Sequence, residues 1–375
     1  MIYLDYSANT PADSRVLERF CEVERSCPGN ANSRHQAGRD AKLVIDHATQ
    51  SIAGLLSAQP AEVIYTSGAS EANNFALKGL AKLSRHLGKH IISTPLEHSS
   101  VSGTLTALQE QGYEIDLVDI KRDGTIDLDH LKELLRPDTI VVAVTMVDSE
   151  LGVVQPVQEI SKILQDYPHC HLHVDATQAV GKIPVSFEGV DTMSLTAHKF
   201  YGLNGIGLLL KRRNLALEPL IHGGESTTIY RSGTPTVALA SSLALALELA
   251  VEQLPEHAEA VQKANAFLRT ELAKYPKVRI NSPENAIPHI LNLSVQDVKG
   301  TVFQRELNEE GVCVSVKSAC SSDGLPSRAV FAVSRDRRNA LSSWRVSLSH
   351  RTTEEDLRGF LAAFDRCYRG LTETK

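Results

Sequence analysis

The sequence lacks the long apolar run that a membrane-spanning helix requires. Its longest apolar stretch, residues 237–251, is too short to cross a bilayer and contains Ser241, Ser242 and Glu248, so we expect a buried helix there and no membrane role. The N-terminus also lacks a basic region followed by an apolar stretch, which is the pattern of a secretory signal peptide. We therefore expect a cytoplasmic protein.

The cysteines show no pairing pattern, and neither sign of charge dominates. No two of the six cysteines form a CxxC pair, which in a reducing compartment argues against a disulfide framework and a zinc knuckle. The formal net charge is -6, so nothing indicates a nucleic acid partner. The basic runs at 211–213 and 335–338 are typical of solvated loop edges.

Short runs rich in Val, Ile and Leu alternate with segments of helical periodicity over the first two thirds of the chain. This alternation predicts an α/β fold with a mostly parallel seven-stranded sheet and helices on both faces. The predicted strands are 63–66, 90–94, 115–119, 139–145, 171–175, 192–196 and 206–210, and the predicted helices between them include 70–87, 102–111, 128–135 and 157–166. In such sheets, ligands bind beyond the carboxyl ends of the strands.

The pattern changes after residue 254, where a smaller α+β C-terminal domain is expected. Its predicted elements are helices at 258–274 and 353–371 and strands at 278–281, 289–294, 312–316 and 344–347. With 375 residues, two unequal domains are the expected organisation. We place the large domain at 15–255 and the small one at 1–14 together with 256–375.

Lys199 lies just after the predicted strand 192–196 and before a glycine-rich turn. A lysine that is desolvated or close to another cation keeps a nucleophilic amine and forms Schiff bases with carbonyl cofactors. Taken alone, a surface lysine whose stem packs against the protein is the better interpretation.

Asp175 and Gln178 follow the neighbouring predicted strand, 171–175. Pyridoxal phosphate (PLP) acts as an electron sink when its pyridine nitrogen is protonated, and a buried carboxylate at a strand end holds that proton. Gln178 could donate to the ring hydroxyl. A helix N-cap is an equally good interpretation of Asp175.

Two further strand ends offer groups that suit a flat, phosphorylated cofactor. The turn 67–70 leads into a helix whose free N–H groups and positive dipole end would bind a phosphate, although Ser70 could be only an N-cap. His98 follows the predicted strand 90–94 and could stack on a ring. Three histidines alternate at 169, 171 and 173, which indicates a half-buried edge more than a metal site.

The smaller domain contributes a thiol and a guanidinium. Cys320 lies among small polar residues with Lys317 nearby, a context that favours an exposed and partly ionised thiol. Arg345 lies on an alternating strand, where its fork would bind a substrate carboxylate or form an ordinary surface ion pair.

Taken together, these residues resemble the NifS/IscS-type cysteine desulfurases, which are class V aminotransferases with the fold type I architecture of PLP-transferases. The matching segments run in the family's order along nearly the whole chain. They are residues 3–11, 29–35, 66–71, 97–98, 175–178, 198–199, 231–234, 318–321 and 345–349.

The resemblance implies that the chain converts L-cysteine to L-alanine, using PLP, and leaves a persulfide on Cys320. Lys199 would hold the cofactor and move the Cα proton, and His98 would stack on the ring. The implied cofactor-binding residues are Ala69, Ser70, Ser149, Asp175, Gln178, Thr196, His198, Lys199 and, from the second subunit of a homodimer with shared active sites, Thr234. Arg345 and Asn32 would bind the substrate. The sulfur would pass to a protein acceptor for iron–sulfur clusters, thiolated tRNA or other products, with no metal in the site.

One departure from the family concerns the segment 146–152. It reads Met-Val-Asp-Ser-Glu-Leu-Gly where the family usually reads His-Val-Asn-Asn-Glu-Ile-Gly, so Ser149 replaces the asparagine expected near the ring hydroxyl and the substrate carboxylate. We expect a weaker contact there. Two alternatives stay open: a PLP-dependent selenocysteine lyase or β-lyase, and a degenerate member that serves as a binding partner.

Overall fold

A seven-stranded sheet forms the centre of the computed structural model, which describes residues 1–317 and 325–373. The strand order is β2-β8-β7-β6-β5-β3-β4, and only β8 runs against the other six. The strands are β2 (Val63–Thr66), β3 (His90–Ser93), β4 (Glu114–Leu117), β5 (Thr139–Thr145), β6 (His171–Asp175), β7 (Thr192–Thr196) and β8 (Gly207–Lys211). The predicted α/β class with a mostly parallel sheet is confirmed.

The inner strands are apolar on both faces, as a parallel sheet covered by helices requires. On β5, Val142 and Val144 belong to one hydrophobic cluster, whereas Val141 and Ala143 belong to another on the opposite face. The first cluster also takes side chains from α1 (Ser14–Ser26), α2 (Gln36–Leu55), α5 (Leu128–Leu134), α6 (Val157–Leu164) and α7 (Val237–Glu252). The second takes them from α3 (Ala69–Ser84) and α4 (Ser99–Gln109).

A third hydrophobic cluster lies in the C-terminal part of the chain. It centres on Trp344, which packs with Phe303, Phe360 and Phe364, and it includes Leu4 from the N-terminus. Its strands are β9 (Val278–Ile280), β10 (Ile290–Val295) and β12 (Ser343–Ser347) in an antiparallel sheet, and β1 (Ile2–Tyr3) with β11 (Val312–Cys313) in a parallel pair. Its helices are α8 (Leu254–Leu272), α9 (Gly300–Glu309) and α12 (Glu354–Thr372). Two further helices, α10 (Arg328–Ser334) and α11 (Arg337–Ser342), contribute their buried apolar side chains to the first cluster. The division at residue 255 stays a prediction.

The apolar stretch 237–251 forms the buried helix α7, as predicted. Within the described residues, no single helix is long and apolar enough to cross a membrane, and α7 with α8 meets the length and composition only as a pair bent by 65°.

Candidate active site

A pocket of about 340 Å³ opens where five parallel strands end. It lies beyond the carboxyl ends of β2, β3, β5, β6 and β7, the position at which α/β sheets bind ligands. Its volume falls in the range of small-molecule sites. The lining residues are Ser7, Ala8, Ser67, Gly68, Ala69, Ser70, Glu71, Leu96, His98, Thr145, Val147, Ser149, Asp175, Thr177, Gln178, Thr196, His198, Lys199 and Arg345.

The amine of Lys199 lies in this pocket, at the end of a short 3-10 turn that follows β7. Its Nζ donates to the backbone oxygens of Ser7 (2.8 Å) and Ala8 (2.6 Å), so the N-terminal segment forms part of the wall. A second lysine, Lys182, is buried behind it, and burial together with Lys199 and Arg345 lowers the pKa of Lys182 to about 7.

The carboxylate of Asp175 is held by a buried asparagine. Asp175 accepts from Nδ2 of Asn73 (2.8 Å) and from the backbone N–H of Thr177 (3.0 Å). Asn73 is fully buried in α3, and its Oδ1 accepts hydrogen bonds from His173 and Ser194. The bond to Thr177 is a local turn bond, because the described residues 176–191 form no helix, so the N-cap interpretation of Asp175 is wrong and its carboxylate lines the pocket. Sequence analysis did not give Asn73 a role, and its only signal is an amide on the buried face of a helix.

The imidazole of His98 also lines the pocket. His98 caps α4, because its Nδ1 accepts the backbone N–H of Ser100 at 3.1 Å. Burial lowers the pKa of His98, so the ring is neutral near pH 7 and suits stacking on a flat ring.

The amide of Gln178 is oriented by its neighbours. Its Oε1 accepts from Nζ of Lys182 at 2.9 Å, and its Nε2 donates to the backbone oxygen of Ser7, also at 2.9 Å. Since an amide nitrogen carries two hydrogens, one N–H of Gln178 remains for a ligand.

The first turn of α3 points at the pocket. The helix begins after Gly68, which has no side chain to cap it, so N–H groups of the first turn are available to an anion. Ser70 is therefore not the N-cap but a residue of that turn. Thr196 and His198 approach from β7, with Thr196 Oγ1 3.1 Å from His198 Nδ1. Burial and the neighbouring lysines lower the pKa of His198 to about 4, so it would bind an oxyanion as a neutral donor.

The guanidinium of Arg345 reaches the pocket from β12. Its side chain is 2% exposed and forms an ion pair with Asp5 (Nη2 to Oδ1, 3.1 Å). Its Nη1 donates to the backbone oxygen of Ser149 at 2.6 Å. Both bonds leave a second N–H on each terminal nitrogen, which is the bidentate edge that carboxylates bind.

The chain is similar to known proteins over nearly its whole length. Residues 2–360 match the family described as aminotransferase class V. The chain belongs to the class V aminotransferases.

It is 38% identical over 370 residues to "Cysteine desulfurase IscS" of Dictyoglomus turgidum, covering 97% of this chain and 94% of that protein. It is 39% identical to the protein of that name from Proteus mirabilis, covering 95% and 90%. A solved structure named "NIFS-LIKE PROTEIN" superposes with a TM-score of 0.93 at 34% identity, covering 99% and 100% of the two chains. The predicted family is confirmed, and with it the fold type I architecture.

Class V aminotransferases are generally PLP-dependent, and the pocket of this member fits that cofactor. One end offers the uncapped helix turn to a phosphate, and Asp175 and Lys199 offer a carboxylate and an amine to the ring and its aldehyde. Within the described residues, two buried hydroxyls that line the pocket, those of Ser7 and Thr177, have no hydrogen-bond partner. Buried hydroxyls are normally satisfied, so a polar ligand is the expected partner.

Two predicted site residues of this class V aminotransferase, Asn32 and Thr234, lie in clefts other than the Lys199 pocket. Asn32 lies in a cleft with Tyr65 and the segment 226–230, and Thr234 lies in another with Arg231 and Gly205. Cys320 lies outside the described residues. The roles of all three stay predictions.

The three alternating histidines do not form a metal centre with their neighbours. His173 bonds to Thr192 and Asn73 inside the sheet, and His171 lies 3.9 Å from Asp191. In the part of the chain that the structure describes, no three His, Cys, Asp or Glu side chains come together as metal ligands.

Proposed function

We propose that this class V aminotransferase is a PLP-dependent cysteine desulfurase that converts L-cysteine to L-alanine and carries the sulfur as a persulfide on Cys320. The main support is that Lys199, Asp175, His98 and Arg345, which are far apart in the chain, line one pocket. The relatives named cysteine desulfurase, at 38% and 39% identity over most of the chain, support the same activity.

PLP supplies an electron sink that activates the bonds around the substrate Cα when it is bound. Asp175 would keep the pyridine nitrogen protonated, and the first turn of α3 with Thr196 and His198 would bind the phosphate. Lys199 would hold the cofactor through its amine and then move a proton at the substrate Cα. Its two carbonyl partners, on Ser7 and Ala8, aim the Nζ into the pocket.

Arg345 would bind the substrate carboxylate through its two remaining terminal N–H groups. Cys320 would attack the substrate sulfur as a thiolate, so that an S–S bond forms while the Cβ–S bond breaks and its electron pair returns to Cβ. Protonation of that carbon completes L-alanine. The balance is L-cysteine plus the Cys320 thiol giving L-alanine plus the Cys320 persulfide, and no external oxidant or reductant is needed.

The position of the neighbouring chain supports the role of Cys320. Ser315 exchanges two backbone hydrogen bonds with Arg345, at 3.2 and 2.6 Å. Residue 315, five positions before Cys320, therefore lies beside an arginine of the pocket wall. Five residues extend at most about 17 Å, which bounds the distance from Ser315 to Cys320. On the C-terminal side of Cys320, Ser327 donates a hydrogen bond to Glu150, the residue after Ser149 of the pocket wall.

The proposal includes a homodimer with shared active sites and a protein that accepts the sulfur, in the cytoplasm. Thr234 and Asn32 lie in clefts of their own, so a second copy of the chain would have to bring them to the Lys199 pocket. Light scattering measures the number of copies. Activity recovered by mixing inactive Thr234→Ala and Lys199→Ala chains would support shared sites.

The function is tested by following alanine and protein-bound sulfane sulfur from L-cysteine. Wild type and Cys320→Ser should both show the PLP absorbance band near ~420 nm, but only wild type should form alanine and persulfide. Lys199→Ala should lose both the band and the activity, and Cys27→Ser, a control on a half-buried cysteine at the end of α1, should behave as wild type. Pyruvate and ammonia formed equally by the Cys320 variant would identify a β-lyase instead.

A further inference from the structure

Asp5 connects the candidate substrate-binding arginine to the N-terminus of the chain. It follows β1, and its backbone forms a bridge with Ser347 on β12, the strand that carries Arg345. Its Oδ1 accepts from Nη2 of Arg345 at 3.1 Å, and its Oδ2 accepts from Oγ of Ser315 at 2.8 Å. Each carboxylate oxygen therefore has a separate partner.

These contacts close a ring of hydrogen bonds. Arg345 and Ser315 exchange both of their backbone bonds, Ser315 donates its hydroxyl to Asp5, and Asp5 accepts from the Arg345 side chain. The backbone at Asp5 is pinned independently, because Ser347 N–H donates to the Leu4 oxygen at 2.8 Å. The carboxylate thus has little freedom to move away from the guanidinium.

The arginine needs such a fixed partner. Its side chain is 2% exposed, and a buried cation is strongly unfavourable unless it is paired and hydrogen-bonded. Its Nη1 is held by the Ser149 oxygen and its Nη2 by Asp5, so the plane of the fork is set from two sides. The Asp5 contact is the only one of the two that depends on a side chain, and therefore the one that substitution can remove.

We propose that Asp5 is a positioning residue that orients the guanidinium of Arg345 for the carboxylate of an amino-acid ligand. The inference rests on the proposed function, because it takes Arg345 as the carboxylate-binding group. Asp5 acts only through Arg345 and does not contact the ligand. Removal of the Asp5 carboxylate weakens the binding of ligands that carry a carboxylate and leaves the binding of ligands without one unchanged.

The test compares L-alanine, the proposed product, with L-alaninamide, which has the same amine but no carboxylate. Binding of each to the PLP-loaded enzyme is measured by titration of the cofactor absorbance, with no turnover. Asp5→Asn keeps the shape of the side chain and removes its charge. It should lower the affinity for L-alanine about tenfold, or about 1.4 kcal/mol, and leave the affinity for L-alaninamide unchanged. The KM for L-cysteine should rise by a similar factor with little change in kcat.

Asp13→Asn is the matched control, since Asp13 pairs with Arg351 at 3.4 Å and neither residue lines the Lys199 pocket. It should leave both titrations unchanged. Ser315→Ala removes one hydrogen bond to the Asp5 carboxylate but keeps the ion pair, so the affinity for L-alanine should fall less than in Asp5→Asn, by about threefold. If Asp5→Asn does not fold, Ser315→Ala provides the same selective comparison.

Two results would overturn the inference: equal weakening of both ligands, which indicates a structural role, or tighter L-alanine binding in Asp5→Asn, which indicates that Asp5 only competes for the arginine. Failure of the proposed function is separate. Wild type would then form no alanine from cysteine, whereas the titrations would still report how Asp5 acts on Arg345.

Discussion

Alanine at Gly207 should damage both stability and the binding of the cofactor phosphate. Gly207 begins β8 and pairs with Thr66 on β2 and with Thr196 on β7. A Cβ at this position would lie 2.5 Å from the Leu195 oxygen and 2.7 Å from the Cα of Gly68. All of these are backbone atoms, so no side chain can turn aside to make room.

The magnitude follows from that distance. For the Cβ to reach ordinary contact at 3.4 Å, Gly68 must move by about 0.7 Å, the difference from 2.7 Å. Overpacking of this kind costs about 1–3 kcal/mol. Gly68 precedes the first turn of α3, so the same displacement moves the N–H groups that would bind the phosphate. Loss of one charge-assisted hydrogen bond, about 1.5–3 kcal/mol, corresponds to roughly a ten- to hundredfold weaker affinity for PLP.

Urea unfolding of the PLP-free protein measures the first effect, with fluorescence of the single tryptophan, Trp344, as the signal. A PLP titration measures the second. Gly54→Ala is the control, because no atom lies within 4 Å of a Cβ there and it lies inside helix α2. It should stabilise the protein by up to about 1 kcal/mol and leave PLP binding unchanged. A Gly207→Ala protein within about 0.5 kcal/mol of wild type, with unchanged PLP affinity, would refute this account.

Three further predictions concern buried or half-buried groups. Burial raises the pKa of Glu97 to about 8, so the free energy of unfolding of the wild type should fall as pH rises from 4.5 towards 8. In urea unfolding at several pH values, Glu97→Gln should lack this fall and so become more stable relative to wild type over that range. Burial, with smaller effects from His257 and Arg351, lowers the pKa of His350 to about 4, so the free energy of unfolding should fall as pH drops from 6.5 towards 4. In the same urea measurement, the free energy of unfolding of His350→Gln should change less with pH over that range. Trp344→Ala should cost about 3–5 kcal/mol in thermal or urea unfolding. Trp344→Phe should cost less, because a phenyl ring still fills most of the space, while both variants remove an indole N–H that has no partner in the described part of the chain. Equal losses for the two tryptophan variants would contradict that reasoning.

The central sheet was predictable because its strands are buried on both faces. Runs such as 139–145 and 192–196 are buried at every position, and their observed bounds match the predicted ones. The predicted strand 312–316 is wrong in length, since β11 covers only Val312–Cys313. The chain beyond it pairs with Arg345 through a single bridge, and such pairing depends on a distant strand.

The pocket was predictable to the extent that the residues lining it lie at the ends of parallel strands. Lys199, Asp175 and His98 each follow such an end, and one edge of the sheet brings all three to the pocket. Asn73 and Lys182 could not be found in this way, because a buried amide and a buried lysine in helical or turn segments give no local pattern. Their functional meaning comes from the contacts with Asp175 and Gln178 that folding creates.

The serine at position 149, where the family usually has asparagine, affects fewer contacts than the sequence alone predicts. We expected a shorter side chain to weaken contacts near the ring hydroxyl and the substrate carboxylate. The structure shows that Ser149 supports Arg345 through its backbone oxygen, a group that every residue type supplies, at 2.6 Å. Exchange of asparagine for serine therefore leaves this support of the guanidinium intact and changes only what the side chain itself offers to the pocket. Any effect of Ser149 on substrate choice would arise from that hydroxyl, while the proposed recognition of the carboxylate depends on the plane that Asp5 and the Ser149 backbone set for Arg345.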